Sequence, residues 1–201
     1  MAGRVQDALS AKEAARDHAL DGAHRIVAAA RRAIAAVHRG EPDACAAAVA
    51  QAREALAALE RELAPHPDLL HGGLLDAARQ EVAEAAIVAA YASGAAAPPA
   101  PQELGVPAAE YAQALGDVVG ELRRLTLNAL AHGEPDAALV HLRAMEAAFE
   151  ALQTLDAPRG IADIKRGQDV ARALLDRTLG EVTVGVAAAR LQGHATERRT
   201  R

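Results

Sequence analysis

The sequence predicts an all-α fold, a single domain built as a bundle of about six to seven helices, and three observations carry that prediction. Apolar residues recur with helical periodicity along most of the 201 residues, and no run alternates as a half-buried strand would. Aromatic residues make up only 1% of the chain, namely Phe149, Tyr91 and Tyr111, so Leu, Val, Ile and a large number of Ala must supply the core. Small side chains of that kind suit helices that approach closely. Gly and Pro fall between the periodic segments, where helix ends need them.

The elements follow in order. A first long helix is expected over about 5–38, stopping at Gly40. A second starts at Pro42 and ends before "APHP" at 64–67. The third covers about 68–92. The segment "SGAAAPPAPQELGVP" at 93–107 is read as a loop, because Pro98, Pro99 and Pro101 cannot continue a helix. A fourth helix runs over about 108–132, a fifth over 135–155 and a sixth over 159–191. One domain is expected over 1–192, with "GHATERRTR" at 193–201 as a disordered tail. Two similar blocks, "RGEPDACAAAV" and "HGEPDAALVHL", each read as a corner with Gly just past one helix and Pro in the first turn of the next.

Charge and cysteine content narrow the functional classes. Net charge is -5, so the whole-molecule field does not draw in nucleic acid, although a local basic surface can. A single cysteine, Cys45, excludes an intrachain disulfide and a CxxC metal site, and is read as a small buried residue. No apolar run has the length of a signal peptide or a membrane span, which predicts a cytoplasmic protein with no membrane partner.

Four carboxylates carry the chemical interest. In "QEVAEA", Glu81 and Glu84 are three residues apart, which places them about 60° apart around a helix and about 4.5 Å along it. They share a face with Leu74, Val88 and Tyr91, so they interrupt an apolar stripe. In "GDVVGELRR", Asp117 and Glu121 are four apart on the border of the stripe Leu115, Val118, Val119, Leu122 and Leu125. Acidic pairs on helices more often mark a solvated face or an arginine partner. If the third and fourth helices pack antiparallel, however, the two pairs offer several hard oxygen ligands of the kind that suit Mg²⁺ or Mn²⁺. Four carboxylates in a half-buried site repel one another, so without metal one takes up a proton or pairs with an arginine. A ferritin-like di-iron site would need Glu-x-x-His, and neither Glu81 nor Glu121 has His three residues on.

"AIAAVHRGE", "HPDLLHGGLLDAARQEVAEA", "YAQALGDVVGELRRLTLNAL" and "RGQDVARALLDRTLGEVTV" occur in the order and at about the spacing found in the translin family. The chain resembles that family from about residue 12 to 192. The resemblance implies a translin-like helical domain, assembly into closed homo-oligomeric rings of six or eight subunits, and binding of RNA or single-stranded DNA on the inner surface. It further implies, as in Trax-type members, a metal-dependent endoribonuclease whose acids fall here on Glu81, Glu84, Asp117 and Glu121, holding Mg²⁺ or Mn²⁺. Val82 stands where relatives often carry an aromatic, and the segment before "QEVAEA", basic in translin itself, offers only His71 and Arg79. Arg123, Arg124, Lys165, Arg166 and Arg172 are the residues expected to contact nucleic acid, with solvation or pairing to Asp169 and Asp176 as their alternative use. The rival readings are a non-catalytic ring that binds RNA or single-stranded DNA, and a helical assembly protein with no nucleic-acid role.

Overall fold

The computed structural model describes residues 1–158 and 163–199, with side chains described over 1–158 and 163–191. Among the described residues the chain is helical and carries no strand. The helices are α1 (Ala2–His38), α2 (Pro42–Leu63), α3 (Pro67–Leu70), α4 (Asp76–Ala92), α5 (Pro101–Leu104), α6 (Ala108–Ala131), α7 (Pro135–Gln153) and α8 (Ile164–Arg199). None is long and apolar enough to cross a membrane. The chain divides into two compact units, Met1–Tyr111 and Ala112–Arg201.

In the first unit α1 packs against α2 and α4. Ala19, Gly22, Ala23, Ile26, Ala30 and Ala33 line its buried stripe at helical spacing. Gly22 sets the closeness of the α1–α2 approach: a Cβ there would lie 2.8 Å from Leu59 Cδ2, closer than carbon atoms pack. α2 answers with Leu56, Leu59 and Leu63, all buried.

Both GEPDA blocks form the corners their spacing predicts. Gly40 and Gly133 have φ of 70° and 75°, a left-handed backbone that favours glycine. The following amides close the turn, Glu41 N donating to Ala36 O at 3.0 Å and Glu134 N to Ala129 O at 2.9 Å. Pro42 and Pro135 then open α2 and α7, where a missing N–H costs nothing.

Three boundaries differ from the sequence reading. The expected third helix is two: α3 ends at Leu70, five non-helical residues follow, and α4 starts at Asp76. The cause is the Gly72-Gly73 pair, with Gly73 at φ 85°. The proline-rich loop contains the four-residue α5, which begins at Pro101 as the first helical residue, a position that tolerates proline. α8 continues to Arg199, past the 191 expected from periodicity. The expected helix start near 159 lies outside the described residues, as do the side chains of 192–201.

In the second unit α7 packs on α8. Ala138, Leu142, Met145, Ala148 and Leu152 are buried on α7, and Ile164, Ala171, Leu175 and Val182 on α8. Buried Gln168 of α8 donates through Nε2 to Leu152 O at 3.0 Å and Leu155 O at 2.9 Å, satisfying carbonyls that the end of α7 leaves without helical partners.

Candidate metal and nucleic-acid site

The QEVAEA segment lies in the middle of α4. Every residue from Val82 to Val88 is buried, so this helix is central to its unit and has no solvated face at that level. Leu74, expected on the same helical face, falls instead in the turn before α4. Glu84 is 9% exposed and Glu81 has 18% of its side chain exposed. Carboxylates at such depth require compensation, because transfer of a charge from water into the interior costs several kcal/mol.

Arg31 of α1 supplies part of it. Its Nη2 donates to Glu81 Oε1 at 2.6 Å and its Nε to the same oxygen at 3.0 Å. The hydrogen bond to Glu81, then the charge of Glu81, hold the Arg31 guanidinium above its ordinary pKa; the charge of Glu84 acts in the same direction. Both carboxylates of the segment thus act on one cation. Arg31 follows Ala30 by about 100° around α1, at the edge of the buried stripe, which lets its head reach Glu81 while the side chain stays 68% exposed.

The second acidic pair is differently placed. Asp117 of α6 is exposed, whereas Glu121 keeps 26% of its side chain exposed, with Arg124 Nη1 at 4.0 Å from its Oε2. The stripe beside them is buried as the pattern predicts, at Leu115, Val118, Val119, Leu122 and Leu125. Among the described residues no group of three or more His, Cys, Asp or Glu gathers at metal-binding distance. The Glu81–Glu84 pair still has the donor chemistry of a hard-cation site, since Mg²⁺ commonly keeps several waters and binds proteins through one or two carboxylates.

The expected nucleic-acid contacts separate into two groups. Arg124, Lys165 and Arg166 are exposed cations. Arg123 and Arg172 have structural partners: Arg123 meets Thr178 and Glu181 of α8, and Arg172 donates to Gln153 Oε1 at 2.9 Å with its guanidinium 5.5 Å from the Phe149 ring centroid. Neither pairs as the sequence suggests, with Asp169 or Asp176. Arg79 is 5% exposed and is held by Glu60 at 2.9 Å, by Leu70 O at 3.3 Å and by Asp76 at 3.5 Å, so it presents no charge to a ligand. The Arg31 contact and this buried cluster are what sequence reasoning misses. The only hint of the first is an arginine at the edge of an alanine stripe.

No protein-family model matches the chain. The first 30%-identical curated relative, an uncharacterized protein of Methanocaldococcus jannaschii, aligns over 84 residues, 42% of this chain and 38% of that protein. Solved structures match far more fully. The structure of AfC3PO in complex with duplex RNA aligns with a TM-score of 0.83 and 26% identity over 92% of this chain and 96% of that one. AfC3PO alone gives the same score over 97% of its length. Apo-NeC3PO aligns at a TM-score of 0.81 over 91% of this chain, with 17% identity, a likeness of fold. A helical fold shared nearly end to end with these proteins, at 26% identity to AfC3PO, agrees with the ordered motifs: in fold and in motif order the chain is similar to the translin family.

Proposed function

We propose that the protein is a metal-dependent endoribonuclease of the translin/Trax type, acting on RNA within a homo-oligomeric ring. The observation that carries this reading is the pair Glu81 and Glu84, kept at depth on α4 and both acting on one positive group. Two carboxylates one helical turn apart, with one buried and the other half-buried beside a single guanidinium, have the make-up of a cation site. The likeness to a protein solved with duplex RNA supports the substrate class.

Glu81 and Glu84 would hold Mg²⁺ or Mn²⁺ by carboxylate oxygens, with Asp117 and Glu121 as the second acidic pair. A bound ion of this kind supplies an activated water and neutralises charge developing on a phosphate. The chain's own contributions are to fix the carboxylates on a buried helix, which restricts their rotamers, and to offer Arg124, Lys165 and Arg166 to the phosphodiester backbone. Binding through such contacts weakens as salt rises, because each neutralised phosphate releases counterions.

The test is cleavage of a labelled single-stranded RNA with Mn²⁺ or Mg²⁺ against EDTA, for the parent and for Glu84→Gln. Cleavage by the parent that is lost with EDTA and in Glu84→Gln is the expected result. RNA or single-stranded DNA binding without cleavage would transfer the conclusion to a non-catalytic binding ring, and no binding at low salt would leave a helical assembly protein.

A further inference from the structure

We infer that Arg31 is a displaceable counter-ion that sets the divalent-metal affinity of the Glu81–Glu84 pair. The inference rests on the metal reading above and adds to it a residue that the motif does not contain. Arg31 lies on α1, fifty positions before Glu81, yet it directs two donors at one oxygen, Oε1, at 3.0 and 2.6 Å. Doubling both donors onto a single oxygen forgoes the bidentate fork geometry that makes arginine–carboxylate pairs strong. The guanidinium is also the exposed partner, at 68% against 18% for Glu81. A contact of that kind is weak in water and screened by salt, so its partner is the one that can leave.

A divalent ion and a guanidinium compete for the same charge. With Arg31 in place the segment's negative charge is partly neutralised. The same neutralisation lowers the attraction for a second cation, so metal entry must displace Arg31 from Glu81. Removing the positive charge at position 31 therefore strengthens metal binding, whereas an arginine that does not compete with the ion for Glu81 would leave it unchanged.

Calorimetric titration of MnCl₂ into the full chain, without RNA, tests this in the parent, Arg31→Gln, Arg31→Lys and Glu81→Gln, with thermal melting to show that each variant folds. Arg31→Gln is expected to bind Mn²⁺ roughly threefold to tenfold more tightly than the parent, and Arg31→Lys to stay near it. The gap between parent and Arg31→Gln narrows in high salt, where the competing contact is screened. Unchanged or weaker Mn²⁺ binding in Arg31→Gln, alongside loss of binding in Glu81→Gln, overturns the counter-ion role and leaves the metal reading standing. If neither the parent nor Arg31→Gln binds millimolar Mn²⁺, the metal reading falls, and the counter-ion role with it.

Discussion

Arg123 of α6 donates to Glu181 of α8, Nη2 to Oε1 at 3.1 Å, while its Nη1 donates to Thr178 Oγ1 at 2.6 Å and comes within 2.8 Å of Glu181 Oε2 outside hydrogen-bonding alignment. Thr178 is fully buried and passes the chain of bonds to Leu174 O at 2.6 Å. An arginine so engaged, with 16% of its side chain exposed, fastens α6 to α8. The neighbouring Arg124 remains open to ligands at 63%.

Arg123→Ala should therefore cost about 1–2 kcal/mol of stability, in the range of a charge-assisted hydrogen bond, and leave RNA affinity near the parent's. Arg124→Ala should do the reverse, weakening RNA binding and reducing its salt dependence by about one counterion. Denaturant melts and RNA titrations of the two variants check both. The Arg123 bond holds the Glu181 carboxyl below its ordinary pKa. Its stabilisation is thus present above the usual glutamate range and lost as pH falls through the lowered value, so the parent and Arg123→Ala converge in acid.

Glu110 runs the opposite way. It is buried, and burial raises its pKa; the charge and hydrogen bond of Asp76 add to the rise, opposed by a backbone hydrogen bond and by Arg79. A raised folded-state value means that the contribution is full below the ordinary glutamate pKa and disappears as pH rises through the elevated one. Glu110→Gln, which keeps a donor for Asp76 at every pH, should melt close to the parent in acid and above it once Glu110 in the parent ionises. Melting temperatures across that pH range, measured for both proteins, settle the sign.

Two glycines respond differently to the same change. A Cβ on Gly72 would collide with the backbone carbonyl of Asp68, which has no rotamer to retreat to, whereas one on Gly120 of α6 would meet nothing within 4 Å. Gly72→Ala should lower stability by about 1–3 kcal/mol through overpacking. Gly120→Ala should raise it by about 0.5–1 kcal/mol by restricting the unfolded chain. Chemical denaturation of the two variants checks the opposition.

The assembly expectation has a specific surface. Val170, Val184 and Leu191 recur at seven-residue multiples on α8 and are 53%, 72% and 72% exposed. Arg177 occupies the position between Val170 and Val184, and the three apolar residues form an exposed strip of the kind that a second copy covers. Light scattering coupled to gel filtration should report a mass several times 20.8 kDa, and Val184→Glu should reduce it.

The sequence by itself determined whatever depends on residues a few positions apart. Helical period, the two Gly-x-Pro corners, the buried stripe on α6 and the burial of Cys45 all follow from local pattern and residue type, and the ordered motifs carried the resemblance to the translin family. Tertiary structure alone decided the rest, because it depends on which distant groups meet. The break between α3 and α4 turned on a glycine pair whose effect a continuous apolar pattern concealed. Burial separated Glu84, at 9% exposure, from exposed Asp117, although spacing presented both as one half of an acidic pair. Arginines that looked alike in sequence were divided by partners fifty or more residues away: Arg31 by Glu81, and Arg123 by Thr178 and Glu181. A period of 3.6 residues fixes which side of a helix a charge lies on, and only the packing of another helix against that side fixes what the charge meets.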